Sequence, residues 1–207
     1  MISCLKKSDW LHVAGSSARQ TVGVLALQGG VDLHKQAFRA LGCEVCEVRQ
    51  PKHLVGVDRL VIPGGESTAL LKLMKPWNFL SVIREYQSAG NPILGTCAGA
   101  ILLAQTVLPE QDSLCLMDIT VERNAYGRQI DSFVAEGSVV DAQWAVGPIP
   151  LAFIRAPKIC SVGSQARVLV THQDDPVLVQ QGNCLAATFH PEATQSNSTV
   201  LRYFMSL

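Results

Sequence analysis

Three short apolar stretches, each ending in a tight turn and followed by a helical pattern, constrain the fold of this 207-residue chain most. They cover residues 21–27, 59–62 and 92–95. Short apolar runs of this kind are typical of strands that are buried on both faces of a sheet. Strands that alternate with helices form a parallel sheet covered by helices on both sides. We therefore predict an α/β domain.

The remaining pattern divides the chain into two halves. Helices are predicted over residues 31–41, 66–74, 79–89, 98–107 and about 196–206, with a further strand over 44–48. The second half consists mostly of short strand-like runs, at residues 116–121, 132–140, 151–155, 167–171, 177–181 and 185–189. The expected fold is a single α/β domain with a mostly parallel central sheet, flanking helices and a strand-rich second half.

Composition and charge exclude several classes of function. Lys+Arg and Asp+Glu are 17 each, so the net charge is zero and the basic surface typical of nucleic-acid-binding proteins is absent. The longest apolar run, residues 93–107, is interrupted by polar residues and is shorter than the roughly 20 residues that cross a bilayer. With 48% hydrophobic and 16% charged residues, the chain has a globular composition. We expect no nucleic-acid partner and no membrane contact.

The N-terminus and the cysteines favour a reducing compartment. The first 20 residues lack the continuous apolar stretch of a secretory signal. Seven cysteines, an odd number, are expected to be reduced thiols, and the Cys43/Cys46 pair lacks the second pair of a four-cysteine zinc site. We expect residues 1–20 to be a disordered extension, residues 21–207 to form the domain, and the protein to be cytoplasmic.

A turn of small residues surrounds a cysteine where the strand at 92–95 meets the next helix. Gly95, Cys97 and Gly99 match the small-x-nucleophile-x-small pattern of a nucleophile elbow. A nucleophile there lies at the carboxyl edge of the sheet, where α/β folds bind ligands, and at a helix N-terminus, which favours a thiolate. A cysteine simply packed between small residues explains the motif alone equally well.

His190, Pro191 and Glu192 follow the last predicted strand. A histidine acts as base and acid when a partner fixes its tautomer, and a carboxylate two residues on can accept its other ring N–H. Alone, the motif fits a surface histidine better. A cysteine elbow earlier on the same sheet favours a triad, although in hydrolases with such an elbow the acid precedes the histidine.

The loop of residues 63–68 also ends a strand and opens a helix. Gly64 and Gly65 allow backbone N–H groups to face a ligand or an oxyanion. Alternatively, Ser67 or Thr68 is only the helix N-cap. The Gly-Lys-Ser/Thr that completes a phosphate-binding loop is absent.

Together these segments resemble the class I, or triad, glutamine amidotransferases. The segments that carry this resemblance are residues 95–99 and 189–192. Four further segments narrow the resemblance to one family within the class: residues 27–29, 63–68, 121–133 and 153–157. The narrower set is similar to the glutaminase subunits of pyridoxal 5′-phosphate synthases, and the similarity covers about residues 21–207.

The resemblance implies an enzyme that hydrolyses L-glutamine. It makes Cys97 the nucleophile, His190 the base and acid, and Glu192 the carboxylate that orients His190. Backbone N–H groups near Gly65 and Ala98 are expected to hold the oxyanion. The implied glutamine site comprises Gly65, Glu66, Ser67, Arg123, Ile154 and Arg155. Without the resemblance, we would interpret both arginines as members of surface salt bridges.

The resemblance also implies a partner. The ammonia is expected to pass to a (β/α)₈-barrel synthase subunit in a hetero-oligomer, and docking of that subunit is expected to activate the glutaminase. The chain itself is expected to bind no cofactor and no metal. Leu33 and Ala193 depart from the family pattern, which has an acidic residue and a leucine at these positions. The sequence therefore does not predict whether the contact that the acidic residue makes at the interface or at the start of the first helix is formed here.

Three alternatives remain at this point. The chain could serve another amidotransferase, such as imidazole-glycerol-phosphate synthase, although the segments at 63–68 and 121–133 argue against it. It could be a non-catalytic regulatory module on the same fold, although Cys97, His190 and Glu192 are intact. It could also be a cysteine peptidase, for which the sequence shows no evidence either way.

Overall fold

The computed structural model describes residues 20–123, 132–194 and 198–207. Its strands are β1 (Thr21–Leu25), β2 (Glu44–Val48), β3 (Arg59–Ile62), β4 (Ile93–Thr96), β5 (Ala104–Leu108), β6 (Met117–Glu122), β7 (Phe133–Val139), β8 (Ile149–Phe153), β9 (Lys158–Val162), β10 (Arg167–His172), β11 (Asp175–Gln181) and β12 (Cys184–Ala187). Its helices are α1 (Val31–Ala40), α2 (Ser67–Met74), α3 (Phe79–Ser88), α4 (Ala98–Leu103) and α5 (Ser198–Ser206).

A nine-stranded sheet in the order β2-β1-β3-β4-β12-β11-β10-β7-β8 forms the centre of the domain. The strands from β2 to β12 pair in parallel, and those from β12 to β8 pair antiparallel. A separate three-stranded sheet has the order β5-β6-β9. The prediction of an α/β domain with a parallel sheet and a strand-rich second half is confirmed.

The central sheet separates two hydrophobic cores, because successive side chains of a strand point to opposite faces. Leu60 and Ile62 of β3 belong to one core, and Val61 belongs to the other. The first core is closed by residues from α2, α3 and α4 and by the three-stranded sheet. The second contains residues of α1 and α5. Both faces of the parallel strands are therefore buried from solvent, as their continuous apolar sequences require.

The helix predicted over residues 98–107 is wrong in its second half. The helix ends at Leu103, and the chain continues directly as β5, which pairs in parallel with β6. A short apolar run does not distinguish a buried strand from a buried helix, so the pairing with β6 decided between them. Strand β9 was not predicted either; only Ile159 among its five residues is buried, so its sequence lacks an apolar signal.

Other predicted boundaries shift by a few residues. The first strand ends at Leu25 and not at residue 27, and the strand predicted at 151–155 is β8, which ends at Phe153. The start of the last helix, predicted near residue 196, lies outside the described residues, as do residues 1–19 of the predicted extension. The six cysteines that the structure describes are all free thiols. None of the helices in the described ranges is long and apolar enough to cross a bilayer.

Helix α4 packs on the sheet with no space between the two backbones. A Cβ atom at Gly99 would lie 2.0 Å from the carbonyl oxygen of Ile62 on β3, and one at Gly95 would lie 2.5 Å from the carbonyl of Gly99. Neither neighbour is a flexible side chain, so the backbone itself would have to move. The two glycines of the elbow are therefore required for the close approach of α4 to β3 and β4.

We expect Gly99→Ala to lower the free energy of unfolding by about 3 kcal/mol, because overpacking displaces α4 from β3. Urea unfolding measures the change. Gly56→Ala is the control: its φ is +80° and its added methyl group meets no atom within 4 Å, so it introduces only backbone strain of about 1 kcal/mol. Equal destabilisation by the two substitutions would contradict the packing argument.

Candidate active site

Cys97 sits on the bend that joins β4 to α4. Its φ of 49° and ψ of −103° lie outside the regions that side-chain-bearing residues usually adopt. The surrounding structure holds it there: its backbone N–H donates to the carbonyl of Ala187 on β12 at 2.8 Å. The side chain is 5% exposed, and its Sγ lies 3.9 Å from the carbonyl oxygens of Ile154 and Arg155. This is the geometry that the elbow motif predicts.

His190 lies beside Cys97, and a Cβ atom at Gly64 would contact both side chains. Its Nδ1 is 2.8 Å from Oε1 of Glu192, and its backbone N–H donates to the carbonyl of Ala152 on β8 at 2.8 Å. A Cβ atom at Gly64 would lie 2.4 Å from Cε1 of His190, so glycine is needed at that position for the imidazole to fit. The structure thus brings Cys97, His190 and Glu192 together, with a hydrogen bond between His190 and Glu192.

The neighbouring side chains favour the ionised forms of both His190 and Glu192. Burial lowers the pKa of His190, but the adjacent Cys97 side chain, the hydrogen bond with Glu192 and the negative charge of Glu192 outweigh burial and raise it to about 10. Burial also opposes ionisation of Glu192, yet His34 and His190 hold the pKa of its carboxyl below the usual range. At neutral pH a cationic imidazole therefore faces the sulfur, the arrangement that activates cysteine nucleophiles.

A cavity of about 660 Å³ opens above Cys97. Its lining includes all six residues predicted to bind glutamine: Gly65, Glu66, Ser67, Arg123, Ile154 and Arg155. Cys97 and His190 also line it, whereas Glu192 does not, because it lies behind His190. Ala98 is the first residue of α4, is fully buried and does not line the cavity either.

The loop before α2 is held by side chains from two directions. Glu66 is the N-cap of α2: its carboxylate accepts the backbone N–H groups of Thr68 at 3.0 Å and Ala69 at 2.7 Å. The alternative that Ser67 or Thr68 is the N-cap is therefore wrong. Burial opposes ionisation of Glu66, but these N–H groups outweigh it and lower the pKa of its carboxyl. On the other side, the backbone N–H of Glu66 donates to Oε1 of Gln28 at 3.1 Å.

The two arginines of the cavity differ in their surroundings. The Nη1 of Arg123 donates to the hydroxyl of Thr68 at 2.8 Å and to Oε1 of Gln111, which also accepts the hydroxyl of Ser67 at 3.1 Å. Arg155 is exposed, has a positive φ of 49°, and its guanidinium has no hydrogen-bond or ion-pair partner among the described residues. Arg123 is thus tethered, and Arg155 is available to an anionic group in the cavity.

Two further residues of the site were not predicted from the sequence. Gln28 lines the cavity and supports the loop at Gly65 and Glu66; its position in the segment 27–29 was a usable signal. His34, fully buried on α1, lies 3.3 Å from Oε1 of Glu192. A single histidine in an amphipathic helix carries no signal that it reaches a distant loop, so only the structure reveals it.

Parts of the predicted site lie outside the described residues. The motif at 121–133 is described up to residue 123 and again from 132, which leaves out most of it. Leu33 and Ala193, where the sequence departs from the family pattern, are both exposed. Among the residues that the structure describes, no group of three or more His, Cys, Asp or Glu side chains could hold a metal ion.

Comparisons with known proteins agree on one family. The model of the SNO glutamine amidotransferase family matches residues 24–207. The pyridoxal 5′-phosphate synthase subunit PdxT of Deinococcus radiodurans is 47% identical over 193 residues, which are 90% of this chain and 96% of that protein. PdxT of Thermosipho africanus is 44% identical, with 90% and 97% coverage.

Solved structures place the fold in the same group. A crystal structure of a glutamine amidotransferase matches with a TM-score of 0.82 and 43% identity, covering 89% of this chain and 97% of that one. A putative GMP synthase protein from Thermoplasma acidophilum, at 19% identity and a TM-score of 0.69, covers 92% of this chain and 94% of its own length and shares the fold alone. With the family model matching nearly the whole domain, the chain belongs to the SNO glutamine amidotransferase family.

Proposed function

We propose that this chain is the glutaminase subunit of a pyridoxal 5′-phosphate synthase. It hydrolyses L-glutamine to L-glutamate and ammonia and delivers the ammonia to a synthase subunit. The observation that carries the proposal is that Cys97 lies beside His190, which is hydrogen-bonded to Glu192, at a cavity of about 660 Å³. The names of the relatives at 43–47% identity supply the pathway.

The reaction begins with attack of the Cys97 sulfur on the side-chain amide carbon of glutamine. The negative charge that develops on the amide oxygen is held by the backbone N–H groups of Gly65 and Ala98, and one such donor typically contributes about 3 kcal/mol. His190 then gives its proton to the departing nitrogen, which leaves as ammonia. The product at this stage is a γ-glutamyl thioester on Cys97.

Hydrolysis of the thioester completes the cycle. His190 accepts a proton from a water molecule, which attacks the thioester carbon and releases glutamate and the Cys97 sulfur. Glu192 keeps the Nδ1–H of His190 pointed at its carboxylate throughout, so Nε2 faces the reacting atoms in both steps. The three residues therefore act as one catalytic unit.

The rest of the cavity selects the amino-acid end of glutamine. Arg155 is free to pair its planar guanidinium with the α-carboxylate, and Arg123 adds positive charge from a fixed position. Glu66, Ser67 and Ile154 line the same space. A cavity lined by two arginines and an ionised carboxylate suits a zwitterionic substrate with one carboxylate and one ammonium group.

The partner is a (β/α)₈-barrel synthase subunit, and this chain needs no metal or cofactor of its own. Ammonia released into water would be protonated and would lose its nucleophilicity, so direct transfer within a hetero-oligomer protects it. Docking of the partner also completes the oxyanion hole at Gly64 and Gly65. The free thiols of the six described cysteines support a cytoplasmic location.

We expect Cys97→Ala to abolish glutamate release from glutamine while it leaves binding of the synthase subunit intact, because only the nucleophile is lost. Glutamate formation and co-purification of the two subunits are the measurements. Cys160→Ala, which removes an exposed thiol, is the control and should keep wild-type turnover. Wild-type glutamate release by the Cys97 variant would show that the nucleophile is assigned wrongly.

We expect added synthase subunit to raise glutaminase turnover severalfold, because docking completes the oxyanion hole. The assay compares glutamate formation by the chain alone, with the synthase subunit, and with an unrelated (β/α)₈-barrel protein. A turnover that the synthase leaves unchanged would favour service to a different amidotransferase. Persistent inactivity in all three mixtures would favour a non-catalytic module.

Glu192→Gln should lower both the turnover and the pKa of His190. The raised pKa of His190, about 10, depends partly on the Glu192 carboxylate, so its neutral amide moves the pKa down and the cationic imidazole is lost at a lower pH. We expect kcat to fall by about 100-fold or more. Imidazole NMR titration measures the pKa, and an unchanged value would contradict the assigned interaction.

A further inference from the structure

We propose that His34 is a positioning residue of the glutaminase reaction: its Nε2–H group, hydrogen-bonded to Thr96, lies against the Glu192 carboxylate and thereby helps to fix the group that orients His190. The proposal extends the proposed function to a residue outside the three-residue chain and rests on that function. His34 does not line the cavity, so its proposed role is to position Glu192 and not to contact the substrate.

The geometry places one imidazole between the two segments that carry the reacting groups. Nε2 of His34 is 3.3 Å from Oε1 of Glu192 and 3.1 Å from the hydroxyl of Thr96. Thr96 is the last residue of β4, directly before Cys97. The side chains of His34 and Glu192 are both fully buried, so water does not compete for this contact. His34 on α1 thus connects the elbow to the histidine loop.

The surroundings of the ring determine its tautomer. Nδ1 of His34 is buried and has no hydrogen-bond partner among the described residues. A proton on Nδ1 would leave that donor unsatisfied and would set the Nε2 lone pair against a carboxylate oxygen. A proton on Nε2 instead donates to the hydroxyl of Thr96, places a positive N–H dipole 3.3 Å from Oε1 of Glu192, and leaves only an unpaired acceptor on Nδ1. The neutral Nε2–H form is therefore favoured.

Packing fixes the orientation of the imidazole. The ring of His34 stacks on Phe38 with centroids 6.4 Å apart and an interplanar angle of 21°. Phe38 in turn contacts Phe204 of α5 edge-on at 6.1 Å. A side chain held between two elements in this way loses little further freedom when it forms a hydrogen bond. The carboxylate of Glu192 therefore meets a donor that is already in place.

The electrostatics of the buried cluster agree with this role. Burial lowers the pKa of His34, and the neighbouring His190 adds to that effect, so the imidazole is neutral at physiological pH despite the attraction of Glu192. The titratable groups that face Glu192 among the described residues are His34 from α1 and His190 from its own loop. Within the same part of the chain, the Oε2 of Glu192 has no hydrogen-bond partner. Loss of the His34 donor would therefore raise the pKa of Glu192.

Two variants separate positioning from packing. His34→Leu fills similar space without a donor, whereas His34→Gln retains a side-chain N–H at about the distance of Nε2. With the full chain and the synthase subunit, we expect the leucine variant to lose about 10- to 100-fold in kcat with little change in KM for glutamine. We expect the acid limb of its pH–kcat profile to move up by about one pH unit, because Glu192 becomes protonated at a higher pH. His34→Gln should restore most of the wild-type kcat and most of the wild-type position of the acid limb.

Several outcomes would overturn the proposal. Wild-type kcat and an unmoved pH profile in the leucine variant would do so, as would equal losses in both variants with the acid limb unchanged, which would assign His34 to packing alone. In the same assay, an inactive wild-type chain would refute the proposed function. An active wild type with an unaffected leucine variant would refute only the role of His34.

A measurement on the unsubstituted chain does not depend on the folding of a variant. Nitrogen-15 NMR of the imidazoles distinguishes the two neutral tautomers and the cation, and His34→Gln identifies the His34 signals by their loss. We expect a neutral Nε2–H imidazole across the neutral pH range. An Nδ1–H tautomer or an imidazolium at His34 would overturn the proposal whatever the kinetics show.

Discussion

The backbone bend at Cys97 is the constraint on which the rest of the site depends. A side-chain-bearing residue at φ 49° and ψ −103° persists only when its neighbours fix it, and here they do. Gly95 and Gly99 let α4 approach β3 and β4 at backbone contact distance, and the N–H of Cys97 is bound to the carbonyl of Ala187. The sulfur is consequently presented at the carboxyl edge of the sheet with almost no freedom to move.

The same sheet geometry brings the histidine to the sulfur. Strand β12 pairs in parallel with β4, and Ala187 lies opposite Thr96 in the register. The chain therefore leaves both strands at the same edge, towards Cys97 on one side and towards His190 on the other. Because parallel neighbours end together, residues distant in sequence meet there without any long connecting loop. His190 then only needs the space that Gly64 leaves open.

The charged and polar side chains that support His190 are buried behind the Cys97 sulfur and do not line the cavity. The side chains of Glu192 and His34 are fully buried, so their interactions are not weakened by solvent, while the side facing the cavity carries Arg123, Arg155 and Glu66. In the proposed function the two groups have different tasks: the buried side chains support His190, and the side chains around the cavity bind the two charged ends of glutamine.

The sequence by itself predicted the alternation of strands and helices and the elbow motif at Cys97, and its resemblance to a known family pointed to His190, Glu192 and six of the residues that line the cavity. Local signals sufficed for the strands, the helices and the elbow motif, because apolar period, glycine turns and short motifs depend on neighbours in the chain. Only the tertiary structure decided that residues 104–108 form a strand, that Glu66 caps α2, and that His34 reaches Glu192. Each of these depends on the folded backbone or on a partner far away in sequence, such as β6 or the loop after β12, and no local pattern encodes that pairing.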